Sequence, residues 1–374
     1  MKKKLLSTTF GLLLVTIACT QEYSKGAALQ AVLDRFTVND LPGVGLAVYS
    51  ETEGLWSGAA GFARKESKTP MSTSTVHYLQ SVSKTFMAVA ILQLYEQNKI
   101  SLEAPITQYL PQKYARLILN AEAITVRMLL THTSGIAEYI SHPGYTANVL
   151  LNPKRAVPVA EMLSVLENEP AQFAPGARYS YTNTNYLLLA LIGDQLTGDH
   201  GAFIRKNILQ RLHMRHSWYD PKRMKMDYPG LPDSYWDILS TGKPANITAM
   251  QRANVAPLMG DDGVVATTTD AILFMRGLME GKLLQPATLA MMQQWVKNDQ
   301  GRPAYGLGLI HFDLDGIEAV GHGGGGLGAG CLLVYIPSKK LYVFLATNTG
   351  VVVDGLGGVK ANEFKNAVME VLLK

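Results

Sequence analysis

Hydrophobic and polar positions follow a strand-like pattern near both ends of this chain and a helix-like pattern in its middle. An amphipathic pattern over residues 26–36 predicts a first helix. Two runs rich in strand-forming residues follow at 44–49 and 55–62, with a Thr52-Glu53-Gly54 turn between them. Two such runs joined by a short turn predict an antiparallel hairpin.

Helical patterns fill the centre of the chain, and strand patterns return after residue 300. The helical patterns lie at 125–130, 159–166, 186–196 and 270–281, the last capped by Asp270 and closed by Gly281. The later strand patterns lie at 305–312, 317–320, 330–336 and 341–347, with a turn over 337–340 and a final helix over 361–373.

This order of elements predicts the fold class and the domain organisation. Strands at both ends with helices between them indicate an α+β fold, in which one mixed or antiparallel sheet is built from both termini and flanked by helices. A chain of 374 residues exceeds what one compact core usually holds. We therefore expect a sheet lobe made of residues 19–75 and 303–374, and an inserted, mainly helical lobe made of residues 76–302.

The apolar run 86–92 follows a Ser-x-x-Lys sequence formed by Ser81 and Lys84. A run of this kind without Pro or Gly predicts a helix buried on all sides. Ser81 and Lys84 then lie three positions apart on one face of its first turn. The helix dipole and the loss of solvation both favour a neutral amine on Lys84. A neutral amine within hydrogen-bond reach can take the proton of a serine nucleophile.

The alternative is that Lys84 merely extends to water and that the motif is a coincidence. A second Ser-x-x-Lys does occur, at Ser240 and Lys243. That copy contains Gly242, is followed by Pro244 and opens no apolar helix, so we assign it to a loop. The structural context therefore favours Ser81.

The N-terminus has the pattern of an export signal. Three lysines at positions 2–4 precede a short apolar stretch that ends in Ala18 and Cys19. The stretch is too short to span a bilayer, so residues 1–18 are predicted to be a signal peptide. Cys19 stands where a bacterial lipoprotein carries its lipid, although Thr16 replaces the usual leucine. We expect an exported protein, either periplasmic or anchored to the cell envelope by a lipid on Cys19.

Charge and cysteine content exclude several classes of protein. The chain has 34 Lys and Arg against 30 Asp and Glu, and it is nearly neutral once the three signal lysines are removed. No basic stripe suggests a nucleic-acid partner. The two cysteines, Cys19 and Cys331, do not form a disulfide framework if Cys19 is lipidated. Cys331 lies in a strand-like run and is expected to be a small buried residue.

Two further stretches carry candidate chemistry. Tyr181 and Asn183 stand at the entrance of the helix predicted from residue 186, where capping by Asn183 or Thr184 is a sufficient explanation. The glycine-rich stretch 321–328, which contains His322, lies between two predicted strands. It is either a flexible loop or a strand edge whose N–H groups face a substrate carbonyl. His322 alone could be an ordinary partly buried histidine.

Taken together, Ser-x-x-Lys, Tyr-x-Asn and His-x-Gly in this order resemble the serine β-lactamase and DD-peptidase superfamily. The likeness is greatest to class C β-lactamases, D-Ala-D-Ala carboxypeptidases, D-aminopeptidases and related esterases. Further stretches extend the resemblance over nearly all of residues 26–374: 129–136, 173–176, 260–270, 305–308 and 346–348.

The resemblance implies a role for each motif residue. Ser81 matches the acylated nucleophile, and Lys84 matches the general base. Tyr181 matches the tyrosine that, as a phenolate or through a hydrogen-bond relay with Lys84, passes a proton to the leaving group. Asn183 matches the residue that hydrogen-bonds the substrate amide and the lysine. The third motif supplies the remaining substrate-binding residues, His322, Gly324 and Gly325. The backbone N–H groups of Ser81 and Gly325 would form the oxyanion hole.

His322 is a departure from most class C β-lactamases, which have lysine at that position. That lysine is a permanent charge that helps hold a substrate carboxylate, whereas a histidine is mostly neutral at pH 7 unless a neighbour raises its pKa. Gly323 also removes a hydroxyl that could bind the same carboxylate. Both differences weaken the β-lactamase interpretation without removing it, and histidine is what several carboxypeptidase, aminopeptidase and esterase relatives have at this position.

The sequence therefore predicts an exported serine hydrolase, foremost a D-Ala-D-Ala carboxypeptidase-like peptidase or amidase. A β-lactamase, a carboxylesterase and a penicillin-binding sensor with little turnover are the alternatives. Expected substrates are small peptides, amides, esters or β-lactams. No cofactor is expected, and the protein is expected to be a monomer. His213 and His216 lack an acidic or cysteine partner for a metal, and Asp261-Asp262-Gly263 is interpreted as a turn.

Overall fold

The computed structural model describes residues 23–351 and 356–374. The predicted signal peptide and Cys19 lie outside these residues. Within them, no helix is both long enough and apolar enough to cross a bilayer.

The described residues form one large sheet, two small sheets and helices on both faces of the large sheet. The strands, β1 to β14 in chain order, are Gly43–Ser50, Gly54–Arg64, Thr69–Pro70, Val76–Tyr78, Ser217–Trp218, Tyr235–Trp236, Ala245–Asn246, Val265–Thr267, Val296–Lys297, Pro303–Tyr305, Ile310–Leu314, Ile317–Gly325, Gly330–Ile336 and Leu341–Thr347. The α-helices, α1 to α12, are Gly26–Asn39, Ser83–Glu96, Gln112–Ala115, Val126–Leu130, Pro143–Leu151, Val159–Ser164, Asn183–Thr197, His200–Ile204, Thr248–Val255, Thr268–Met279, Pro286–Met292 and Leu356–Leu373.

The large sheet has the strand order β3-β2-β1-β14-β13-β12-β11-β10-β9, and its neighbouring strands are antiparallel. The predicted hairpin is β1 and β2, in which Val44 lies opposite Ala60. Strand β1 then pairs with β14, so that Val44 also lies opposite Thr347. The sheet is thus built from both ends of the chain, and the α+β fold expected from the sequence is confirmed.

Strand β14 shows how this sheet is covered on both faces. Leu341, Val343 and Leu345 pack into a core with α1 and α12. Tyr342 and Phe344, at the alternate positions, pack into a second core with the helices on the other face. The two-residue period of a strand explains this division, and the second core is the one that contains α2.

Two details of the predicted elements are wrong. The strand expected over 305–312 is interrupted between β10 and β11, because Gly308 has a φ of +83° and lies against Ala88 of α2. Helix α10 is capped by Thr267, whose side chain accepts a hydrogen bond from the backbone N–H of Asp270. The carboxylate of Asp270 instead accepts hydrogen bonds from His216 and Ser217.

The segment between β3 and β9 carries most of the helices and both small sheets, β4-β8-β5 and β6-β7. Strand β9 already belongs to the large sheet. The sheet therefore resumes at Val296, earlier than the expected domain boundary at 303. Helix α2 belongs to this segment, and its residues from Ser83 to Leu94 are all buried, as its apolar sequence predicts.

Candidate active site

Ser81 lies in a 3₁₀ turn, Gln80–Val82, that leads directly into α2. Gln80 is held at a φ of +47°, an uncommon conformation for a residue with a side chain. Backbone strain of this kind clusters at functional sites. The turn leaves the Ser81 side chain half-buried, and Lys84 one turn further on is completely buried.

The Lys84 ammonium has an oxygen acceptor for each of its three protons. Its Nζ lies 3.1 Å from Ser81 Oγ, 2.7 Å from Asn183 Oδ1 and 2.8 Å from the carbonyl oxygen of Asp261. Burial alone lowers the pKa of Lys84, but the Tyr181 hydroxyl when it is ionised and the nearby carboxylates of Asp261 and Asp262 outweigh burial and leave that pKa above its ordinary value. These neighbours favour a charged Lys84 in the resting protein, whereas the sequence led us to expect a neutral amine.

Tyr181 packs against both Lys84 and a buried histidine. The Lys84 Nζ lies 5.1 Å from the centre of the Tyr181 ring. On its other side the ring centre is 4.3 Å from that of His132, whose Nδ1 accepts a hydrogen bond from Thr182 N–H. Burial raises the pKa of Tyr181, although the Lys84 charge and hydrogen bonding to Lys84 and Ser81 act in the opposite direction. The phenol is therefore protonated at neutral pH.

Asn183 is the first residue of α7, and its side chain does not cap that helix. Its backbone N–H and its Nδ2 both donate to Glu138 Oε2, at 2.6 and 2.9 Å. These two bonds fix the amide so that Oδ1 faces Lys84. The capping interpretation of Asn183 is wrong, and Glu138, which sequence reasoning missed, orients the residue.

Residues 321–325 of the glycine-rich stretch form the end of strand β12, and residues 326–328 lie in the connection to β13. Beyond Gly321 this strand pairs only with β13, because its pairing with β11 ends there. Gly326 N–H donates to Ala329 O across the hairpin. Since N–H directions alternate along an antiparallel strand, Gly325 N–H faces the free edge. That edge packs against the turn that carries Ser81.

His322 uses both ring nitrogens within the protein. Nδ1–H donates to Gly323 O at 2.6 Å, and Nε2 accepts from the Tyr305 hydroxyl at 2.9 Å. The side chain is buried, and burial, with the Lys84 charge, lowers the pKa of His322 to about 3. The idea that a protonated His322 holds a substrate carboxylate is therefore not supported, because the ring is neutral and has no free donor.

The loop that carries Asp261 is also part of the site. Asp261 and Asp262 lie in a bend between α9 and β8, and both are buried, with Asp261 in contact with Lys84. A chain of hydrogen bonds holds the loop: His200 bridges Asp194 and Tyr219, and the Tyr219 hydroxyl accepts from Gly260 N–H at 2.8 Å. Two adjacent acids between apolar residues were the only sequence signal for this arrangement.

Among the described residues, no group of three or more His, Cys, Asp or Glu side chains lies together as a metal site requires. His213 and His216 lie in the turns and irregular backbone between α8 and β5, not on one helix face.

A substitution at Gly324 tests how closely the turn that carries Ser81 and strand β12 must approach each other. A Cβ at position 324 would lie 2.5 Å from Leu79 O and 2.6 Å from Cys331 Sγ. We expect Gly324→Ala to destabilise the fold by about 1–3 kcal/mol and to lower acylation of Ser81 by roughly 10²-fold, because the turn must move. Thermal unfolding and the rate of labelling by a fluorophosphonate measure the two effects.

Gly323→Ala is the matched control for stability, because a Cβ there meets only Cys331 O, at 3.9 Å. It should keep the wild-type melting temperature. Equal melting temperatures for the two alanine variants would show that close packing at Gly324 is not required.

Comparison with known proteins agrees with this geometry. The family model described as Beta-lactamase matches residues 29–357. Esterase EstB of Burkholderia gladioli is 27% identical over 80% of this chain and 82% of its own length. Penicillin-binding protein 4 of Amycolatopsis lactamdurans is 26% identical over 84% of this chain and 83% of its own.

A D-stereospecific amidohydrolase from a Streptomyces species superposes with a TM-score of 0.77 at 25% identity, covering 87% of this chain and 94% of its own. D-amino acid amidase from Ochrobactrum anthropi SV3 has the same fold, with a TM-score of 0.79 over 92% of this chain and 97% of its own at 23% identity. This chain therefore belongs to the beta-lactamase family of serine hydrolases.

Proposed function

We propose that this protein is a serine hydrolase that forms an acyl-enzyme on Ser81 and acts on esters or amides whose leaving group carries no carboxylate. The observation that carries the proposal is the 3.1 Å contact between Ser81 Oγ and Lys84 Nζ, with Tyr181 packed beside both. A nucleophile, a titratable group within hydrogen-bond reach and a third group that orients them are the requirements of nucleophilic catalysis.

The resting site holds one proton too many for catalysis. Lys84 is an ammonium and Tyr181 is a phenol, so neither can accept the Ser81 proton until the pair has lost one. Deprotonation produces either a neutral Lys84 or a Tyr181 phenolate, and both can act as the general base. Acylation should therefore become faster as pH rises above neutrality, until the pair is fully deprotonated.

The free edge of β12 supplies the second requirement, stabilisation of the oxyanion. We assign this role to the backbone N–H groups of Ser81 and Gly325. Donors aimed at charge that develops only in the transition state are worth about 3–4 kcal/mol each. The close approach of Gly324 to Leu79 O keeps the edge and the Ser81 turn together.

The leaving-group preference follows from His322. A leaving group that carries a carboxylate, as a D-Ala-D-Ala peptide does, needs a cation or a free donor beside the third motif. His322 offers neither, and Gly323 has no hydroxyl. This favours neutral esters and amides, and the likeness to an esterase supports the same choice.

A D-Ala-D-Ala carboxypeptidase-like peptidase is the second candidate. The likeness to penicillin-binding protein 4, at 26% identity over most of both chains, favours it. Such an enzyme would have to hold the substrate carboxylate with a group other than His322.

A matched pair of substrates tests the proposal: a phenyl ester and its m-carboxyphenyl counterpart with the same acyl group. We expect kcat/KM to favour the neutral ester by roughly tenfold or more, because a carboxylate that enters the site without a partner loses solvation, at a cost of about 1–3 kcal/mol or more. The ratio of the two kcat/KM values should stay constant from about pH 5.5 to 8.5, a window around the ordinary histidine pKa, since His322, with a pKa of about 3, stays neutral throughout.

Taking the ratio removes the pH dependence that both substrates share. A preference for the carboxylate ester that falls as pH rises would show that a protonated His322 binds the anion. A preference for that ester at every pH would favour the carboxypeptidase candidate instead.

A further inference from the structure

Two adjacent carboxylates lie buried beside the candidate nucleophile and have no role in the function proposed above. Asp261 and Asp262 are 2% and 7% exposed. Among the described residues, Lys84 is the only buried lysine or arginine. Two buried acids thus share one buried cation, which is costly because an ionised carboxylate loses most of its solvation in the protein interior.

The Asp261 side chain is not needed for the contact that this residue makes with Lys84. The backbone carbonyl accepts the Lys84 hydrogen bond, which a residue of any type could provide. Of the two carboxylate oxygens, Oδ2 accepts from the Tyr139 hydroxyl at 2.9 Å. Oδ1 is buried and has no hydrogen-bond partner among the described residues. A buried polar atom without a partner requires an explanation, and loop structure does not provide one here.

The loop holds the Asp261 side chain in a defined place. Gly260 N–H donates to the Tyr219 hydroxyl at 2.8 Å, and Val264 N–H donates to Ser83 Oγ at 3.1 Å. Ser83 lies between Ser81 and Lys84 on α2, so the loop is attached to the nucleophile turn itself. The Asp261 charge therefore has a fixed position relative to Lys84.

We propose that Asp261 is a positioning residue whose buried carboxylate sets the charge state of the Lys84–Tyr181 pair, and thereby the pH range in which Ser81 is acylated. The inference rests on the proposed function, because it concerns the same acylation step. Besides the neighbouring Asp262, the titratable groups that face Asp261 from the surrounding elements are Lys84, Glu138, Tyr139, Tyr145, Tyr181 and Tyr219.

The sign of the effect follows from electrostatics. A negative charge nearby opposes loss of a proton from either Lys84 or Tyr181. Burial raises the pKa of Asp261 to about 6, and burial together with Asp261 raises that of Asp262 to about 7. Asp261 is therefore charged above about pH 6, the range in which the pair must lose its proton. Its charge makes acylation begin at a higher pH than it otherwise would.

Asp261→Asn tests the inference, since asparagine keeps the shape and removes the charge. The rate constant for labelling Ser81 with a neutral fluorophosphonate is measured from about pH 5 to 11, a range that spans the raised pKa of Asp261 and the ordinary pKa values of tyrosine and lysine. We expect the acid limb of the profile to move to lower pH by about one unit in the variant. Asp261→Glu, which restores a carboxylate, should return the limb toward its wild-type position.

Tyr139→Phe provides a second variant that keeps Asp261 itself. It removes the donor to Oδ2 and so raises the pKa of Asp261, which leaves less negative charge near neutral pH. The acid limb should shift in the same direction as in Asp261→Asn, but by less. If Asp261→Asn does not fold, as judged by circular dichroism, this variant decides the question.

The remaining outcomes separate the inference from the proposed function. A folded Asp261→Asn whose profile superimposes on the wild type overturns the inference and leaves the proposed function intact. If the labelling rate of Asp261→Asn falls by the same factor at every pH, and the acid limb of the profile does not shift, Asp261 has only a structural role. That result also overturns the inference. Failure of the wild type to label at any pH refutes the proposed function, and the inference with it.

Discussion

Replacing Ser81 with alanine is expected to abolish covalent labelling by fluorophosphonates and β-lactams and to lower ester turnover by on the order of 10⁶-fold. The reason is that no other group replaces the hydroxyl 3.1 Å from Lys84 Nζ. The fold should be unaffected, because Ser81 is half-buried at a turn and loses only one hydroxyl group. Intact-mass spectrometry after exposure to each reagent measures the adduct.

The chain itself provides a matched control for this experiment. Ser240 belongs to the second Ser-x-x-Lys sequence and lies in an exposed loop. Ser240→Ala should label as the wild type does. Stoichiometric labelling of the Ser81→Ala protein, or loss of labelling in the Ser240→Ala protein, would show that the nucleophile is wrongly assigned.

Tyr181→Phe should lower kcat by about 10²–10⁴-fold, the usual effect of removing a proton-transfer group. KM should change much less, because the ring itself stays packed between His132 and Lys84. Steady-state kinetics with a neutral ester separate the two effects.

Tyr179→Phe is the matched control, since Tyr179 lies two residues away and stacks on Tyr305 at a ring-centre distance of 6.0 Å. It should keep kcat within a few-fold of the wild-type value. A Tyr181→Phe protein with near wild-type kcat would return Tyr181 to a structural role beside His132.

Local sequence carried most of the information about the fold. The last two strands, β13 and β14, have the predicted bounds, because two-residue alternation places Val343 and Phe344 on opposite faces of one sheet. The buried helix that follows Ser81 was equally readable, since its apolar residues leave no polar face. The break at Gly308 was not readable, because it depends on contact with Ala88, far away in the sequence.

The candidate site could be predicted in its residues but not in its electrostatics. Ser81 and Lys84 are three positions apart, so their contact is local. The charge of Lys84, in contrast, depends on side chains far away in the sequence, Tyr181 and Asp261, of which Asp261 lies 177 positions away. Helix dipole and burial were the only influences that the sequence revealed, and both act to remove that charge. Side chains that the fold brings next to Lys84 outweigh both influences and favour its charged form.

The same limit applies to Asn183 and His322. Glu138, which orients the Asn183 side chain, is 45 positions away from it. His322 accepts from Tyr305, whose hydroxyl comes from the interrupted strand that the sequence pattern misjudged. Burial of an imidazole and the identity of its partners are properties of the assembled structure, so its protonation state could not be inferred from a glycine-rich motif.

The pairing of β1 with β14 has a consequence for how the chain acquires its structure. The Thr347 hydroxyl donates to Gly43 O across 304 positions of sequence, and seven consecutive residue pairs follow the same register. Contacts of such long sequence separation form late and slowly, because a long loop must close before they can contribute. During synthesis, β1 and β2 emerge as a hairpin with one open edge, and β14, the strand that covers this edge, ends 304 positions after Gly43 of β1. Until then the nascent chain exposes an apolar strand edge of the kind that promotes aggregation, and a protein that ends before β14 keeps that edge permanently.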